Sequence, residues 1–251
     1  MAEPNTPTAD KPALQTIGIL GGMSSESTVT YYQRLNSGVN EALGGHHSAP
    51  VLINSVDFGV VEGCIRDGRW DDAGEYLAER ARELESGGAD FVVMATNTMH
   101  RVAPAITDAL SIPFHHIVDA AADAAIDDGL DTVGVLGTKP VTQEPFYRER
   151  FAENGLDVVL PDADACQVLH DVIFDELTRG VITDESREAY LDSMDDLVDR
   201  GAQGIVLGCT EIELLVSDDD FSRVPLLDTT ELHVQRALEL CLPDEVATPT
   251  P

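Results

Sequence analysis

The chain repeats itself, and the repeat constrains the fold more than any single motif. Gly88–Thr98 reads GADFVVMATNT and Gly201–Glu211 reads GAQGIVLGCTE, each a Gly-Ala pair, a buried strand and a small polar turn. Upstream of each stands a matching strand and glycine turn, IGILGGM from Ile17 and VGVLGTK from Val133. Gly18 precedes Thr96 by 78 residues and Gly134 precedes Cys209 by 75. Two lobes of similar plan follow, related by a pseudo-twofold axis, with Thr96 and Cys209 in equivalent positions.

Short apolar runs alternate with helical patterns throughout. Strands are expected at Thr16–Leu20, Val51–Val56, Phe91–Ala95, Thr132–Leu136, Asp157–Leu160 and Ile205–Gly208. Helices are expected at Ser27–Leu43, Asp71–Glu85, Asp119–Asp127, Gln167–Leu177, Ser186–Arg200 and Thr230–Leu240. In the first of these, Val29, Tyr32, Leu35 and Val39 recur at helical spacing. The alternation predicts an α/β protein of two pseudo-symmetric lobes, each a parallel sheet flanked by helices, with the active site in the cleft between them. Residues 14–114 plus 226–242 form the first lobe and 115–225 the second. Residues 1–13 and 243–251, rich in Pro, Thr, Asp and Glu, read as disordered tails.

Ligands of open α/β sheets bind at the carboxyl ends of the strands, so Thr96 and Cys209 are expected to face one cleft. The turn Gly18-Ile-Leu-Gly21-Gly22-Met23 is neither a dinucleotide fingerprint nor a P-loop. Gly22 and Met23 are read instead as a tight turn offering backbone N–H groups to a small anion such as a carboxylate. Thr96-Asn97-Thr98 and Cys209-Thr210-Glu211 each leave a strand toward a helix, where Asn97, Thr98 and Thr210 are placed to hold a carboxylate. A cysteine at a helix N-terminus has its pKa lowered, while Glu211 and Glu213 close by oppose that effect. Lys139 is read as either the cation for a distal carboxylate or a solvated charge, and Asp57 as either an ammonium partner or a helix cap. His47 and His100 are placed in loops near the cleft, and His115, His116 and His233 in packing or interface roles. The acidic run Asp218–Asp220 reads as a solvated loop.

Composition narrows the partners. The 46 acidic residues against 15 basic ones give a net charge of −31, a field that repels nucleic acid and anionic membranes. Lys11 and Lys139 are the only lysines. An acidic, lysine-poor surface points to a salt-accumulating halophile, in which a Debye length of about 3 Å at 1 M salt screens repulsion of an anionic substrate. With no secretory signal and no membrane-spanning apolar stretch, the expected compartment is the cytoplasm. Cys64, Cys166, Cys209 and Cys241 stand far apart, without zinc spacing, and are read as four thiols. No cofactor and no metal are expected.

The segments IGILGGMSSESTVTYYQRLN, HSAPVLINSVDF, TNTMH, LGCTEI and DTTELH together resemble the aspartate/glutamate racemases, over nearly everything from Thr16 to Leu240. The resemblance implies a small-molecule acidic amino acid as substrate, no pyridoxal phosphate, and two opposed groups that exchange the α-proton. Thr96 stands where the commoner family pattern has a second cysteine, as in a Thr/Cys branch of the family. It also implies a possible homodimer. Two alternatives stay open: a single-cysteine decarboxylase or isomerase of the same superfamily, and a non-catalytic acidic amino-acid binder.

Overall fold

A computed structural model describes residues 13–243. The tails expected at 1–13 and 243–251 lie outside them, apart from Ala13 and Pro243. Each repeat builds its own four-stranded parallel sheet. The first, in the order β2-β1-β3-β4, comprises β1 (Ile17–Gly21), β2 (Val51–Ser55), β3 (Phe91–Met94) and β4 (Phe114–His115). The second, in the order β6-β5-β7-β8, comprises β5 (Thr132–Gly137), β6 (Asp157–Val159), β7 (Gly204–Gly208) and β8 (Leu226–Asp228).

The strands alternate their faces, so helices cover both sides. In β1, Leu20 packs toward α2 (Phe58–Arg66) and α3 (Trp70–Ser86). Its neighbours Ile17 and Ile19 pack toward α1 (Ser25–Leu43) and α10 (Thr229–Cys241). The second sheet repeats the arrangement. Val133 and Val135 face α5 (Ile117–Asp127) and α7 (Pro145–Glu153), while Leu136 faces α8 (Ala163–Asp175) and α9 (Asp184–Asp199). The last helix, α10, lies against both α1 and α5 and so ties one lobe to the other.

Several elements were not among the sequence expectations. The strands β4 and β8 are edge pieces of two and three residues, too short for an alternation to show. The helices α4 (Ala103–Ala109), α6 (Lys139–Gln143) and α7 each carry a proline in the first turn, where its missing N–H removes no helix bond. The helix α1 is rotated from the expected phase. Its buried face is Thr28, Tyr31, Leu35 and Val39, whereas Val29 and Tyr32 are about half exposed.

Gly22 shows why the turn after β1 needs glycine. Its φ is +89°, and a Cβ there would come 2.4 Å from the Val56 carbonyl oxygen. The turn therefore lies directly on the backbone that enters α2.

The rotated phase of α1 yields a stability test. Leu35→Ala, at a fully buried position, is expected to destabilise the fold by about 2–5 kcal/mol. Tyr32→Ala is expected to stay within about 0.5 kcal/mol. Urea unfolding midpoints in concentrated KCl read the difference, and equal losses would contradict this packing.

Candidate functional site

The two central strand pairs have matching registers. Gly18 lies opposite Val92 in the first sheet, and Gly134 opposite Ile205 in the second. The polar turns therefore leave the two sheets at equivalent points, each beside the place where strand order reverses. Ala95 continues the first ladder through its N–H to Leu20 O at 3.0 Å, and Thr96 follows it. Gly137 lies opposite Gly208, and Cys209 follows directly. A Cβ on Gly208 would come 2.7 Å from Leu136 O, so close pairing of the strand ends requires glycine.

A cavity of about 170 Å³ opens between the lobes at these turns. Thr96, Asn97 and Thr98 line it from the first lobe, and Cys209, Thr210 and Glu211 from the second. Two hydroxyl pairs bridge the lobes at its rim, Ser27 to Thr210 at 2.8 Å and Thr98 to Thr138 at 3.0 Å. The outer wall is apolar, made of Met23, Ile65 and Met99 on one side and Pro140 and Ile173 on the other. Phe58 and Phe174, both partly exposed, stand at the mouth. His170 and Thr178 are polar groups of this outer part, and among the described residues no arginine or lysine lines the cavity.

Cys209 donates its thiol proton to Glu211 Oε2 at 3.0 Å, and Thr210 Oγ1 donates to the same oxygen at 2.7 Å. The thiol pKa is raised well above the ordinary cysteine value, first by burial and then by the Glu211 charge. The helix N-terminus expected to lower it is not there. The chain runs into a single 3₁₀ turn at Ile212–Leu214, and the corresponding turn after Asn97 is also 3₁₀, at Thr98–Val102. A turn that short has little dipole to offer. The resting group is a neutral thiol with a carboxylate acceptor in contact.

Thr96 is buried, and its carbonyl accepts from His100 Nδ1 at 2.7 Å. His100 Nε2 in turn accepts from the Ile117 N–H at 3.1 Å, which fixes a neutral tautomer. Burial pushes the His100 pKa well below the ordinary histidine value. This histidine braces the Thr96 turn and does not line the cavity.

Other residues depart from expectation. The Asn97 side chain is engaged at both ends, accepting from Tyr147 OH at 2.8 Å and donating to Thr229 Oγ1 at 3.1 Å. It fixes the lobes, and only the second N–H of Nδ2 is left for a carboxylate. The Gly22 N–H donates to Thr28 Oγ1 at 2.8 Å, so it too is taken. Asp57 caps α2 through the Gly59 N–H at 2.9 Å and is exposed. His47 is exposed in the loop after α1, away from the cavity, because that helix carries the chain to the far end of the lobe. Lys139 begins α6 between two lining residues, Thr138 and Pro140, without lining the cavity itself. Its charge, after burial, lowers the pKa of the lining residue His170. Met23, Thr98, Thr210 and Glu211 all line the cavity.

Ser27, Thr138, Tyr147 and Thr229 escaped the sequence reading. Ser27 lies inside the quoted GGMSSES segment, but its partner Thr210 is 183 residues away. No local pattern reports such a pairing.

Comparison with known proteins agrees with this geometry. A sequence profile described as Asp/Glu/hydantoin racemase matches residues 20–237. The chain is 26% identical over 227 residues to the broad specificity amino-acid racemase RacX of Bacillus subtilis, covering 85% of this chain and 92% of that one. It is similar to the crystal structure of a Yersinia pestis protein ascribed to the Asp/Glu racemases, with TM-score 0.87 and 40% identity, covering 91% of this chain and 99% of that one. An aspartate racemase homologue from Pyrococcus horikoshii OT3 superposes with TM-score 0.80 and 30% identity, over 91% and 99% of the two chains.

The thiol–carboxylate contact has a readable consequence. Glu211→Gln removes a negative charge beside the thiol, so the Cys209 pKa falls and more thiolate is present at a given pH. Iodoacetamide is expected to alkylate Cys209 faster in Glu211→Gln than in wild type between pH 7 and 9. A slower or unchanged rate would mean that Glu211 does not govern the thiol.

Proposed function

The chain belongs to the Asp/Glu/hydantoin racemase family and is an amino-acid racemase, and from this premise we propose that it interconverts L- and D-aspartate or glutamate by proton transfer at the α-carbon. Cys209 is the thiol base and Thr96 the opposing group. The observation that carries this reading is the pair of equivalent strand-end turns, one bearing a thiol in contact with a carboxylate, facing a single interlobe cavity.

The chemistry follows from the contacts. Glu211 takes the proton that Cys209 already shares with it, and the positive charge of the substrate ammonium stabilises the thiolate left behind. The thiolate removes the α-proton and leaves a planar carbanion, its charge spread into the α-carboxylate. Hydroxyls of Ser27, Thr98, Thr138 and Thr210 are the donors available to that carboxylate. A proton returns on the opposite face through Thr96. A threonine hydroxyl does not ionise near neutral pH, so Thr96 acts as a relay from water. The thiol leaves this sequence carrying the α-proton and is thereby reset, while the proton held on Glu211 returns to solvent and neutralises the hydroxide left where water supplied Thr96. None of these steps calls on a cofactor.

Lys139 is the proposed partner of the distal carboxylate, because it begins α6 and its charge acts on the lining residue His170. A second reading is favoured by the apolar outer wall, which suits uncharged side chains, and by the similarity to a racemase of broad specificity. A panel of amino acids assayed for inversion and for α-deuterium uptake in deuterated water decides between them. With aspartate or glutamate, Lys139→Gln is expected to raise KM about tenfold or more. Equal KM values, with faster turnover of uncharged amino acids, would favour the second reading.

We place the protein in a salt-rich cytoplasm. Among the described residues no helix is long and apolar enough to cross a membrane, and a charge of −31 destabilises a compact chain at low salt. The unfolding midpoint and the turnover rate are both expected to rise between about 0.1 M and 2 M KCl. Flat curves would remove the halophile assignment.

Two substitutions test the central roles. Cys209→Ala is expected to stay folded and lose both inversion and deuterium uptake. Equal free energies of mirror images force equal kcat/KM in the two directions, yet kcat itself need not match. Thr96→Cys supplies a second thiol, and turnover from the D form is expected to rise. Unchanged D turnover with a thiol facing the cavity would place the second proton donor elsewhere.

A further inference from the structure

We propose that Arg34 is a positioning residue, which through Glu213 holds the Cys209-Thr210-Glu211 turn against the opposite lobe. The proposal rests on the reading of Cys209 as the reacting thiol.

One helix pins this turn at two points. Ser27 and Arg34 are seven residues apart on α1, two helical turns, and so lie on the same side. Ser27 Oγ meets Thr210 Oγ1 at 2.8 Å. Arg34 Nη2 spans both Glu213 oxygens, at 2.7 and 2.9 Å. The segment between has little regular structure of its own. Its backbone bonds are Ile212 N–H to Cys209 O and Leu214 N–H to Glu211 O, both at 3.2 Å, with Ile212 O accepting from Leu215 and Val216 N–H at 2.9 and 3.1 Å.

Arg34 is also shared. Its Nη1 donates to Glu231 at 3.0 Å and to Asp228 at 3.3 Å, so one guanidinium faces three carboxylates. Glu213 and Asp228 are each about one-quarter exposed, and among the described residues neither has another cationic partner. Burial and the neighbouring Asp228 raise the Glu213 pKa to about 7, with Arg34 opposing the shift. Without the guanidinium, burial and Asp228 favour a protonated Glu213, which no longer has its link to α1 and is free to shift. Only one residue separates Glu213 from Glu211, so the carboxylate that accepts the thiol proton moves with it.

Arg34 does not line the cavity, so its loss should leave substrate binding largely intact while misplacing the reacting groups. A displacement of about 1 Å can slow turnover about a hundredfold. The test uses the full-length chain in concentrated KCl, well below its unfolding temperature. Arg34→Gln is expected to lower kcat at least about tenfold with KM within about threefold. Arg34→Lys, which keeps the charge but not the fork, recovers part of that loss. Glu213→Gln breaks the same link with the arginine in place, and is also expected to lower kcat. Alkylation of Cys209 by iodoacetamide is expected to quicken at least about threefold in Arg34→Gln, a readout that needs no turnover.

The proposal is overturned if Arg34→Gln and Glu213→Gln both stay within about twofold of wild type in kcat and alkylation. If Arg34→Gln does not fold, Glu213→Gln decides alone. Cys209→Ala in the same assay separates the two readings. Turnover there overturns the thiol assignment, whereas an inactive Cys209→Ala beside fully active Arg34 and Glu213 variants overturns only the positioning role.

Discussion

Everything at the cleft depends on satisfying one buried amide. The Asn97 side chain sits at the base of the cavity, where an unpaired polar group is costly. Its oxygen accepts from Tyr147 on α7, and its nitrogen donates to Thr229 at the start of α10. Thr229 passes its own proton to Leu207 O, one residue before the end of β7. Tyr147 belongs to the second lobe and Thr229 opens α10, the helix that contacts both, so Asn97 is fully paired only when the lobes are docked. The same docking brings Thr96 and Cys209 to one cavity. A requirement of hydrogen bonding therefore fixes the relative placement of two groups that never touch.

The legible part of this molecule was the part that repeats. Strand, glycine turn, strand and polar turn recur with similar spacing, 78 residues in one lobe and 75 in the other, and the two sheets pair these strands in the same register. That is why Thr96 and Cys209 could be paired from sequence alone. What stayed hidden lies in contacts between distant residues. The bonds of Asn97 across the lobes are hidden because its partners stand 50 and 132 positions away. The phase of α1 was misjudged because its buried face includes Thr28 and the hydroxyl-bearing Tyr31, the latter satisfied by His233 at 2.9 Å. A polar residue on a buried face is invisible to a pattern that counts only apolar ones. Lys139 drew notice through its rarity, but rarity does not say which way a side chain reaches.

The scarce cations are used outside the cavity. Arg66, Arg69, Arg200 and Arg236 each pair with an acid one helical turn away on the surface. Such exposed pairs contribute about 0–1 kcal/mol each, too little to offset the repulsion of so many carboxylates. Arg101 stacks on Trp70 and pairs with Glu144 across the lobes, and Arg34 crosses beside the thiol turn. The cations placed across the seam differ from the surface ones in having both lobes to hold.

The hydroxyl pairs at the rim of the cavity have a further consequence. Ser27 and Thr98 are bonded to Thr210 and Thr138, so a carboxylate that draws on those shared protons exchanges one hydrogen bond for another. The gain on occupation is a difference between two bonded states, and a neutral hydrogen bond contributes only about 1 kcal/mol net. Donors exchanged in this way add little net binding. For a reaction whose substrate and product are mirror images and equally stable, that is an advantage. Neither hand becomes trapped, and the lobes can let go of whichever one the last proton transfer produced.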